Sequence, residues 1–383
     1  MNFIDLEAQL NTKLDGDKTL RDIIDFNISR VLNHTKFICG PEVNQLENDL
    51  ANFIDVKNCV AVSSGTDALL ISLMALDIKP GDEVITTPFS FISTVEVLLL
   101  LKAKPIFVDI DPKTFNIDPQ RIEEKINENT KAIIPVSLYG QTADLKAINL
   151  IAEEYKIHVI EDAAQSFGAK HHNKFSCSQT TLSTTSFFPS KPLGCYGDGG
   201  AIFTNDDSLA DRVRRISKHG QTKRYIHSEI GINGRLDTIQ AAILTPKLKL
   251  FEKEIFLRNK ISKRYENKFK KLGYSNSFYP FIENFNESVF AQYTIRVKNR
   301  FKVQEFLKSK GIPTAIHYPR LLNEQEILSG SKKEKIKDQS ESLIFAKEAS
   351  KEVLSLPFSP YLKEVDQDLI VEKVNEANLI FNH

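Results

Sequence analysis

Short apolar runs alternate with longer helical patterns through much of the chain after Val56. The runs predict strands, and the longer segments predict helices over 67–76, 91–101 and 143–155. The predicted strands are Cys59–Val62, Glu83–Thr86, Pro105–Ile110, Ala132–Pro135 and Ile157–Glu161. A parallel strand pair needs a crossover connection long enough to hold a helix, so this alternation favours parallel pairing. The pattern predicts an α/β fold with a mixed, mainly parallel sheet flanked by helices.

The second half of the chain has a different pattern of residues. Prolines and four glycines interrupt the segment Thr180–Asn205, which is typical of a rigid, turn-rich region. An apolar stripe at helical spacing follows, at Leu248, Phe251, Ile255, Ile261, Tyr265, Phe269 and Leu272, and Pro246 predicts a kink or a restart. We therefore predict a large domain over 1–250 that includes an N-terminal helical segment. A linking helix and a small α+β C-terminal domain are predicted over 251–383.

Composition and charge exclude several classes of protein. The chain of 383 residues is 41% hydrophobic and 26% charged, values typical of a globular protein rather than a disordered one. Its 50 basic and 50 acidic residues cancel, which disfavours nucleic-acid binding. The N-terminus lacks a signal-peptide pattern, and the most apolar stretch, Phe91–Leu101, is short for a membrane span. The cysteines Cys39, Cys59, Cys177 and Cys195 lack metal or redox spacing. We expect a cytoplasmic protein without a metal or membrane partner.

A candidate phosphate site follows the first predicted strand. Gly65 and Thr66 open the next helix, and a helix N-terminus offers free N–H groups and a partial positive charge. Gly65 lets the backbone approach a ligand, and the Thr66 hydroxyl adds a hydrogen bond. The alternative is an ordinary helix N-cap without a ligand.

A candidate carboxylate lies at the end of another predicted strand. Asp162 follows His158–Glu161, at the sheet edge where α/β proteins bind ligands. A partly buried carboxylate needs a cationic partner, such as the protonated ring nitrogen of a ligand. Gln165 is close enough in sequence to reach the same ligand. The alternative is that Asp162 caps a following helix.

Lys191 is a candidate amine nucleophile. It lies between Pro189 and Pro192, so its backbone is more constrained than that of a typical surface lysine. Amine nucleophiles need a lowered pKa, obtained by desolvation or by a nearby positive charge. The pattern indicates a Schiff-base lysine, and the alternative is an ordinary loop lysine.

Together, these three features are the groups that pyridoxal 5'-phosphate (PLP) requires from a protein. A helix N-terminus holds the phosphate, a carboxylate keeps the ring nitrogen protonated, and a lysine forms the Schiff base. The combination predicts PLP as the cofactor.

Longer motifs resemble the DegT-type sugar aminotransferases over nearly the whole chain. The matching segments are Ser64–Leu69, Glu161–Ala169, Ser186–Lys191, Gly197–Ala201, Asn233–Asp237 and Ile316–Pro319. The resemblance implies the fold-type I architecture of aspartate aminotransferase and a PLP-dependent transaminase.

The resemblance also implies a role for each matching residue near the cofactor. Lys191 is implied as the Schiff-base lysine that moves the proton at the substrate Cα. Asp162 would pair with the pyridine nitrogen, Gln165 would approach the ring hydroxyl, and Phe91 would stack on the ring.

The phosphate is implied to contact both subunits of a dimer. Gly65, Thr66 and Ser186 would bind it from one subunit. Asn233 would reach it from the neighbouring subunit, which implies a homodimer with shared active sites.

Within this family, the segments Pro189–Asp198 and Ile134–Gln141 most resemble bacterial aminotransferases acting on a UDP-2-acetamido-2-deoxy-3-keto-hexuronic acid. This implies transfer of an amino group from L-glutamate to the keto carbon, C3 preferred, of a UDP-linked sugar in surface-glycan (lipopolysaccharide or O-antigen) precursor synthesis. Arg235 of the partner would face the sugar, because a guanidinium fork fits a uronate carboxylate. The other implied substrate contacts are Thr35, Phe37, Ser190, His317 and Tyr318.

Several alternatives stay open on the sequence alone. The substrate could be a 4-keto or a dTDP-3-keto nucleotide sugar. Related dehydratases carry His in place of the Schiff-base lysine, which disfavours that activity here. A non-catalytic regulatory relative would lack cofactor residues. The triplet Asp109–Asp111 resembles a glycosyltransferase metal motif, although a turn is the commoner meaning.

Overall fold

The computed structural model describes residues 1–328 and 342–381. Its strands, in chain order, are β1 (Lys13–Asp15), β2 (Lys18–Thr19), β3 (Asn58–Val62), β4 (Glu83–Thr86), β5 (Lys104–Phe107), β6 (Thr130–Ile134), β7 (His158–Asp162), β8 (Lys170–His171), β9 (Lys174–Phe175), β10 (Leu182–Ser186), β11 (Gly200–Thr204), β12 (Gln221–Lys223), β13 (Ile226–His227), β14 (Asn286–Glu287), β15 (Tyr293–Arg296) and β16 (Val353–Leu356). The α-helices are α1 (Leu6–Leu10), α2 (Leu20–His34), α3 (Pro41–Ile54), α4 (Gly65–Ala75), α5 (Ser93–Leu100), α6 (Leu145–Tyr155), α7 (Asp207–Ile216), α8 (Thr238–Lys271), α9 (Arg300–Ser309), α10 (Ile344–Glu352) and α11 (Glu364–Phe381).

A seven-stranded sheet has the order β3-β11-β10-β7-β6-β4-β5. The pairs from β10 through β7, β6 and β4 to β5 are parallel, and β11 is antiparallel to both of its neighbours. The sheet is therefore mixed and mainly parallel, as predicted. The five predicted strands are confirmed within about three residues at each end, as are the three predicted helices between them.

Alternate residues of the strands face two hydrophobic layers. On β3, Cys59 and Ala61 pack with α3 and α8, whereas Val60 and Val62 pack with α4 and α7. This is the period-two alternation of a strand covered on both faces. The layers hold the sheet rigid, so the carboxyl ends of the strands keep fixed positions.

Helix α8 links the two predicted parts of the chain. It runs without interruption from Thr238 to Lys271 and includes Pro246, so the predicted restart at this proline is wrong. Burial against neighbouring helices compensates for the missing N–H of the proline, since Leu20 and Ile24 of α2 pack on Ile243 and Leu250 of α8.

The C-terminal part of α8 packs against a small antiparallel pair, β15 and β16, together with α9 and α11. The ring centroids of Tyr265 and Tyr293 lie 4.7 Å apart in this second core. The boundary at 250/251 lies within α8, and the division into two domains stays a prediction.

Two alternatives from the sequence can be judged from local structure. The residues after Asp162 form turns rather than a helix, so the helix-cap interpretation of this residue is wrong.

In the triplet Asp109–Asp111, Asp109 accepts hydrogen bonds from the backbone N–H groups of Ile110, Phe345 and Ala346, each at 2.9 Å. This carboxylate therefore ties α10 to the sheet, and Asp111 stabilises a turn through the N–H groups of residues 113 and 114.

Within residues 1–328 and 342–381, no helix is both long enough and apolar enough to cross a bilayer.

The aromatic layer under α8 provides a test of the packing. Phe251 is fully buried, and its ring stacks on Phe167 with centroids 5.8 Å apart. We expect Phe251→Ala to lower the free energy of unfolding by about 3–5 kcal/mol because it leaves a cavity. Phe256, which is 69% exposed on the same helix, is the matched control, and Phe256→Ala should cost less than about 0.5 kcal/mol. Equal losses in denaturant titrations of the two variants would contradict this packing.

Candidate active site

Asp162 lies at the carboxyl end of β7, with its side chain buried. Its carboxylate accepts a hydrogen bond from the Ala164 N–H (3.1 Å) and another from the Thr94 hydroxyl. Burial raises the pKa of Asp162, while these two donors and the charge of Lys191 act in the opposite direction. A buried carboxylate held in this way calls for a further cation in the site.

Lys191 lies in the turn-rich connection between β10 and β11. Its backbone N–H donates to the Phe188 carbonyl (2.8 Å), and the Cys195 N–H donates to the Phe187 carbonyl (2.7 Å), so the loop folds back on itself. Burial lowers the pKa of Lys191, and the charge of Asp162 partly offsets that effect. The lowered pKa makes the neutral amine, which is the nucleophilic form, more accessible.

The predicted phosphate cradle forms where α4 meets β10 and β11. A Cβ atom on Gly65 would lie 2.7 Å from Cβ of Ser186, and one on Gly200 would lie 2.5 Å from the Ser64 carbonyl oxygen. Glycine is therefore required at both positions. Ser64 caps the helix by accepting from the Asp67 N–H (3.0 Å), and the preceding amides of Gly65 and Thr66 have no intrahelical partner and lie beside Ser186.

Gln165 and Tyr318 join the two parts of the chain across the site. The Gln165 side chain accepts from the Tyr139 N–H (2.9 Å) and donates to the Tyr318 hydroxyl (3.2 Å). Burial raises the pKa of Tyr318, and the charge of Asp162 adds to that effect. The ring of Phe91, which is half exposed, has its centroid 6.3 Å from that of Tyr318. Four of the predicted residues thus surround the same space.

His317 precedes Tyr318 and is partly buried. Burial lowers the pKa of His317 to about 4, and the charge of Lys191 contributes in the same direction. The imidazole is therefore neutral near pH 7, and it lies within electrostatic reach of Lys191.

The remaining predicted residues lie on the surface of this chain. The Arg235 guanidinium donates to the Asn233 side chain (2.5 Å), and the segment carrying both residues runs beside the end of β3. Thr35, Phe37 and Ser190 are exposed, and the Phe37 carbonyl accepts from the Thr238 N–H (3.0 Å). Neither Asn233 nor Arg235 shows a hydrogen bond to Lys191 or Asp162 within the described chain.

The sequence analysis did not identify the buried residues that surround Asp162 and support the site. Thr94 is fully buried on α5, and its hydroxyl lies 3.1 Å from that of Ser90 in the loop before the helix. Glu161, next to Asp162, points to the opposite face and accepts from Ser137, Ser176 and the Cys177 N–H. These three donors come from distant segments, and no local pattern marks them.

The arrangement fits the predicted cofactor. Asp162 offers a buried carboxylate for the ring nitrogen, Lys191 offers an amine with a lowered pKa, and α4 offers free amides beside Ser186 for the phosphate. In the ranges that the structure describes, no group of three or more His, Cys, Asp or Glu side chains is placed to hold a metal ion.

Comparison with known proteins agrees with this geometry. The sequence profile of the DegT/DnrJ/EryC1/StrS aminotransferase family matches residues 19–375. The chain belongs to this family.

Individual relatives of this aminotransferase match almost end to end. It is 53% identical over 362 residues to the UDP-2-acetamido-2-deoxy-3-oxo-D-glucuronate aminotransferase of Pseudomonas aeruginosa, covering 94% of this chain and 96% of the relative. A DegT/DnrJ/EryC1/StrS aminotransferase structure from Brucella abortus has a TM-score of 0.90 at 37% identity, covering 98% of this chain and 99% of the other. NtdA of Bacillus subtilis, solved with the bound cofactor PMP, has a TM-score of 0.85 at 33% identity, covering 94% and 82%.

These findings confirm the predicted fold class, the aminotransferase activity and the dependence on PLP. When bound, PLP supplies the electron sink that makes removal of a Cα proton possible. The roles of individual side chains remain predictions, and each can be tested by substitution.

The Schiff-base assignment can be tested against a second buried lysine. Lys247 is 2% exposed, burial lowers its pKa to about 8, and its ammonium donates to the Gly194 carbonyl in the same loop. We expect borohydride reduction of the PLP-loaded protein to attach the cofactor to Lys191, because the Lys191 ammonium interacts with the charge of Asp162 whereas that of Lys247 interacts with Glu254. Peptide mass mapping locates the adduct.

Matched variants sharpen this test. Lys191→Ala should bind PLP without a covalent adduct and lose turnover by several orders of magnitude, whereas Lys247→Met should keep the adduct. Normal turnover by Lys191→Ala, or an adduct on Lys247, would contradict the assignment.

Proposed function

We propose that this aminotransferase moves the amino group of L-glutamate to C3 of a UDP-linked 2-acetamido-3-keto-hexuronic acid. The observation that carries the proposal is the 53% identity, over nearly the full length of both chains, to a relative named for that substrate. We place the reaction in the cytoplasm, in the synthesis of surface-glycan precursors.

In this proposal, Lys191 Nζ carries the proton. Its lowered pKa favours the neutral amine, which in each half-reaction would move one proton between the substrate carbon and the bound cofactor: it would accept the Cα proton of glutamate in the first and deliver a proton to the sugar carbon in the second. The Asp162 carboxylate carries the charge opposite to that of the protonated Lys191 amine. Thr94 and the Ala164 N–H donate hydrogen bonds that favour the ionised carboxylate and oppose the rise of its pKa on burial.

We further propose that the enzyme is a homodimer in which Asn233 and Arg235 complete the site of the partner. Both are exposed or partly exposed in the single chain, and their mutual hydrogen bond holds the guanidinium in one orientation. Two large apolar side chains, Phe37 and Ile38, are exposed beside the segment that carries Asn233 and Arg235, and Phe188 is exposed on the Lys191 loop. Such a patch is typical of a surface that is covered by another protein.

Thr35, Phe37 and Ser190 are proposed substrate contacts on the same surface. The antiparallel bridge between Ile38 and Asp237 places Phe37 opposite Thr238, on the segment that follows Arg235. A nucleotide sugar bound at this interface would place its sugar between Arg235 of one subunit and the residues around Lys191 of the other.

Arg235 provides a specificity test. A bidentate guanidinium–carboxylate pair contributes roughly 1.5–3 kcal/mol, so Arg235→Ala should lower kcat/KM for the keto-uronate by about 10- to 150-fold. The corresponding UDP-3-keto-hexose without the carboxylate is the control substrate, and its kcat/KM should fall far less. Equal losses for the two sugars in a coupled assay would contradict the assignment of the uronate to Arg235.

Sharing of the site between subunits can be tested by mixing. A dimer that pairs a Lys191→Ala subunit with an Arg235→Ala subunit contains one complete site. Co-expression of the inactive Lys191→Ala variant with the impaired Arg235→Ala variant should therefore restore about a quarter of the wild-type activity on statistical pairing. No recovery from mixtures shown to contain mixed dimers would contradict sharing.

A further inference from the structure

Two arginines of α7 hold one carboxylate at the start of the segment 229–235, on which the two proposed partner contacts lie. Arg212 Nε donates to Oε2 of Glu229 (3.0 Å), and Arg215 Nε donates to Oε1 (2.9 Å). Both carboxylate oxygens are therefore engaged, and the Glu229 side chain is only 20% exposed. A carboxylate that accepts from two guanidinium groups of one helix has little freedom to turn.

Arg212 also reaches the helix that forms the phosphate cradle. Its Nη1 donates to the carbonyl of Ala75, the last residue of α4 (3.0 Å), and its guanidinium pairs with both carboxylate oxygens of Asp77 (2.7 and 2.9 Å). Gly65, at the other end of the same helix, belongs to the cradle. The start of the segment 229–235 and the phosphate cradle are thus fixed to one helix.

Close backbone contacts hold the rest of the segment. A Cβ atom on Gly220 would lie 1.8 Å from the Glu229 carbonyl oxygen, so glycine is required where the chain leaving α7 passes this residue. Further along, the Gly234 N–H donates to the Ser217 carbonyl (3.0 Å), and the Gly234 carbonyl accepts from the Ser63 N–H (3.1 Å). The segment is therefore held at its first residue by a side chain and near its end by the backbone.

The two residues proposed to act on the partner lie on this segment. Asn233 accepts a hydrogen bond from Arg235, and among the described residues the buried Nε of Arg235 has no hydrogen-bond partner. A buried donor without a partner costs free energy, so this guanidinium calls for an acceptor from outside the chain. The position of the guanidinium depends on the path of the backbone, which the Glu229 carboxylate helps to fix.

We propose that Glu229 is a positioning residue for the site of the partner subunit. Held by α7, it fixes the segment 229–235, so that Asn233 reaches the cofactor phosphate and Arg235 reaches the sugar. This inference rests on the proposed function, in which these two residues act across the dimer. Glu229 acts through their side chains and is not itself a contact of either ligand.

Kinetics of Glu229→Gln test the positioning role, because this variant removes the charge and keeps the shape of the side chain. It should lower kcat/KM for the keto-uronate by about three- to tenfold, the range expected for loss of partly exposed ion pairs. Glu229→Asp, which keeps the charge, should recover part of the loss. Introduced into Arg235→Ala, Glu229→Gln should cause a smaller further loss, because its effect passes through Arg235. No loss in Glu229→Gln, or a fully additive loss in the double variant, would overturn the proposal.

Asp77→Asn is the matched control. It removes the other carboxylate that pairs with Arg212, so the two variants should lose similar amounts of stability in denaturant titrations. Asp77 follows α4 and lies outside the segment 229–235, so kcat/KM should change far less than in Glu229→Gln. An equal kinetic loss in Asp77→Asn would assign the effect to the packing of α7 and overturn the role of Glu229.

Mixed dimers show in which subunit Glu229 acts. In a purified dimer of one Lys191→Ala subunit and one Glu229→Gln subunit, the site that keeps its lysine receives the segment 229–235 from the Lys191→Ala subunit, where Glu229 is intact. The kcat/KM of this site should therefore equal that of a wild-type site. A site as impaired as in the Glu229→Gln homodimer would overturn the proposal, because Glu229 would then act within its own subunit.

The dimer of Lys191→Ala and Arg235→Ala subunits separates this failure from failure of the proposed function. If that dimer recovers activity while the dimer containing Glu229→Gln stays impaired, the role of Glu229 is overturned and sharing of the site stands. If neither dimer recovers, sharing of the site is overturned, and the positioning role with it.

Discussion

The buried Asp162 carboxylate is the constraint on which the site depends. Removing a carboxylate from water is costly unless cations and donors compensate for the lost solvation. Here the Ala164 N–H, the Thr94 hydroxyl and the charge of Lys191 provide part of that compensation, yet the pKa of Asp162 is still raised. A positively charged ring nitrogen would complete it. The buried carboxylate is therefore the predicted partner of a cation that the cofactor would provide.

The sheet makes this arrangement possible. Asp162 ends β7, and Ser186 ends the adjacent parallel strand β10, so both side chains lie at one edge. The N-terminus of α4 reaches that edge because Gly65 and Gly200 allow close backbone contact. The Lys191 loop folds back over the same edge between β10 and β11. Groups that are distant in sequence are positioned by rigid elements rather than by long loops.

Local patterns were sufficient to predict five of the seven strands of the sheet, whereas β10 and β11 lie in the segment that was predicted to be turn-rich. Apolar runs identified β3 to β7, and the surroundings of Gly65, Asp162 and Lys191 each suggested a chemical role. The patterns failed where tertiary packing decides the outcome. Pro246 stays inside α8 because helix–helix burial outweighs its lost hydrogen bond.

Contacts between distant segments were beyond the reach of sequence patterns. Thr94 hydrogen-bonds to Asp162, which is 68 residues away in the sequence. Ser355 lies within hydrogen-bond distance of His317, which is 38 residues away. Hydroxyl residues are common in buried positions and have no spacing that identifies such partners. The supporting residues of the site therefore required the structure, whereas the groups that define the cofactor did not.

The most direct test of the account is the absorption spectrum of the PLP-loaded protein through both half-reactions. On addition of L-glutamate, we expect the band of the lysine-bound cofactor to be replaced by that of pyridoxamine phosphate. Adding the UDP-linked 3-keto-uronic acid should restore the original band. A spectrum that glutamate leaves unchanged would contradict amino-group transfer from this donor through Lys191 and Asp162.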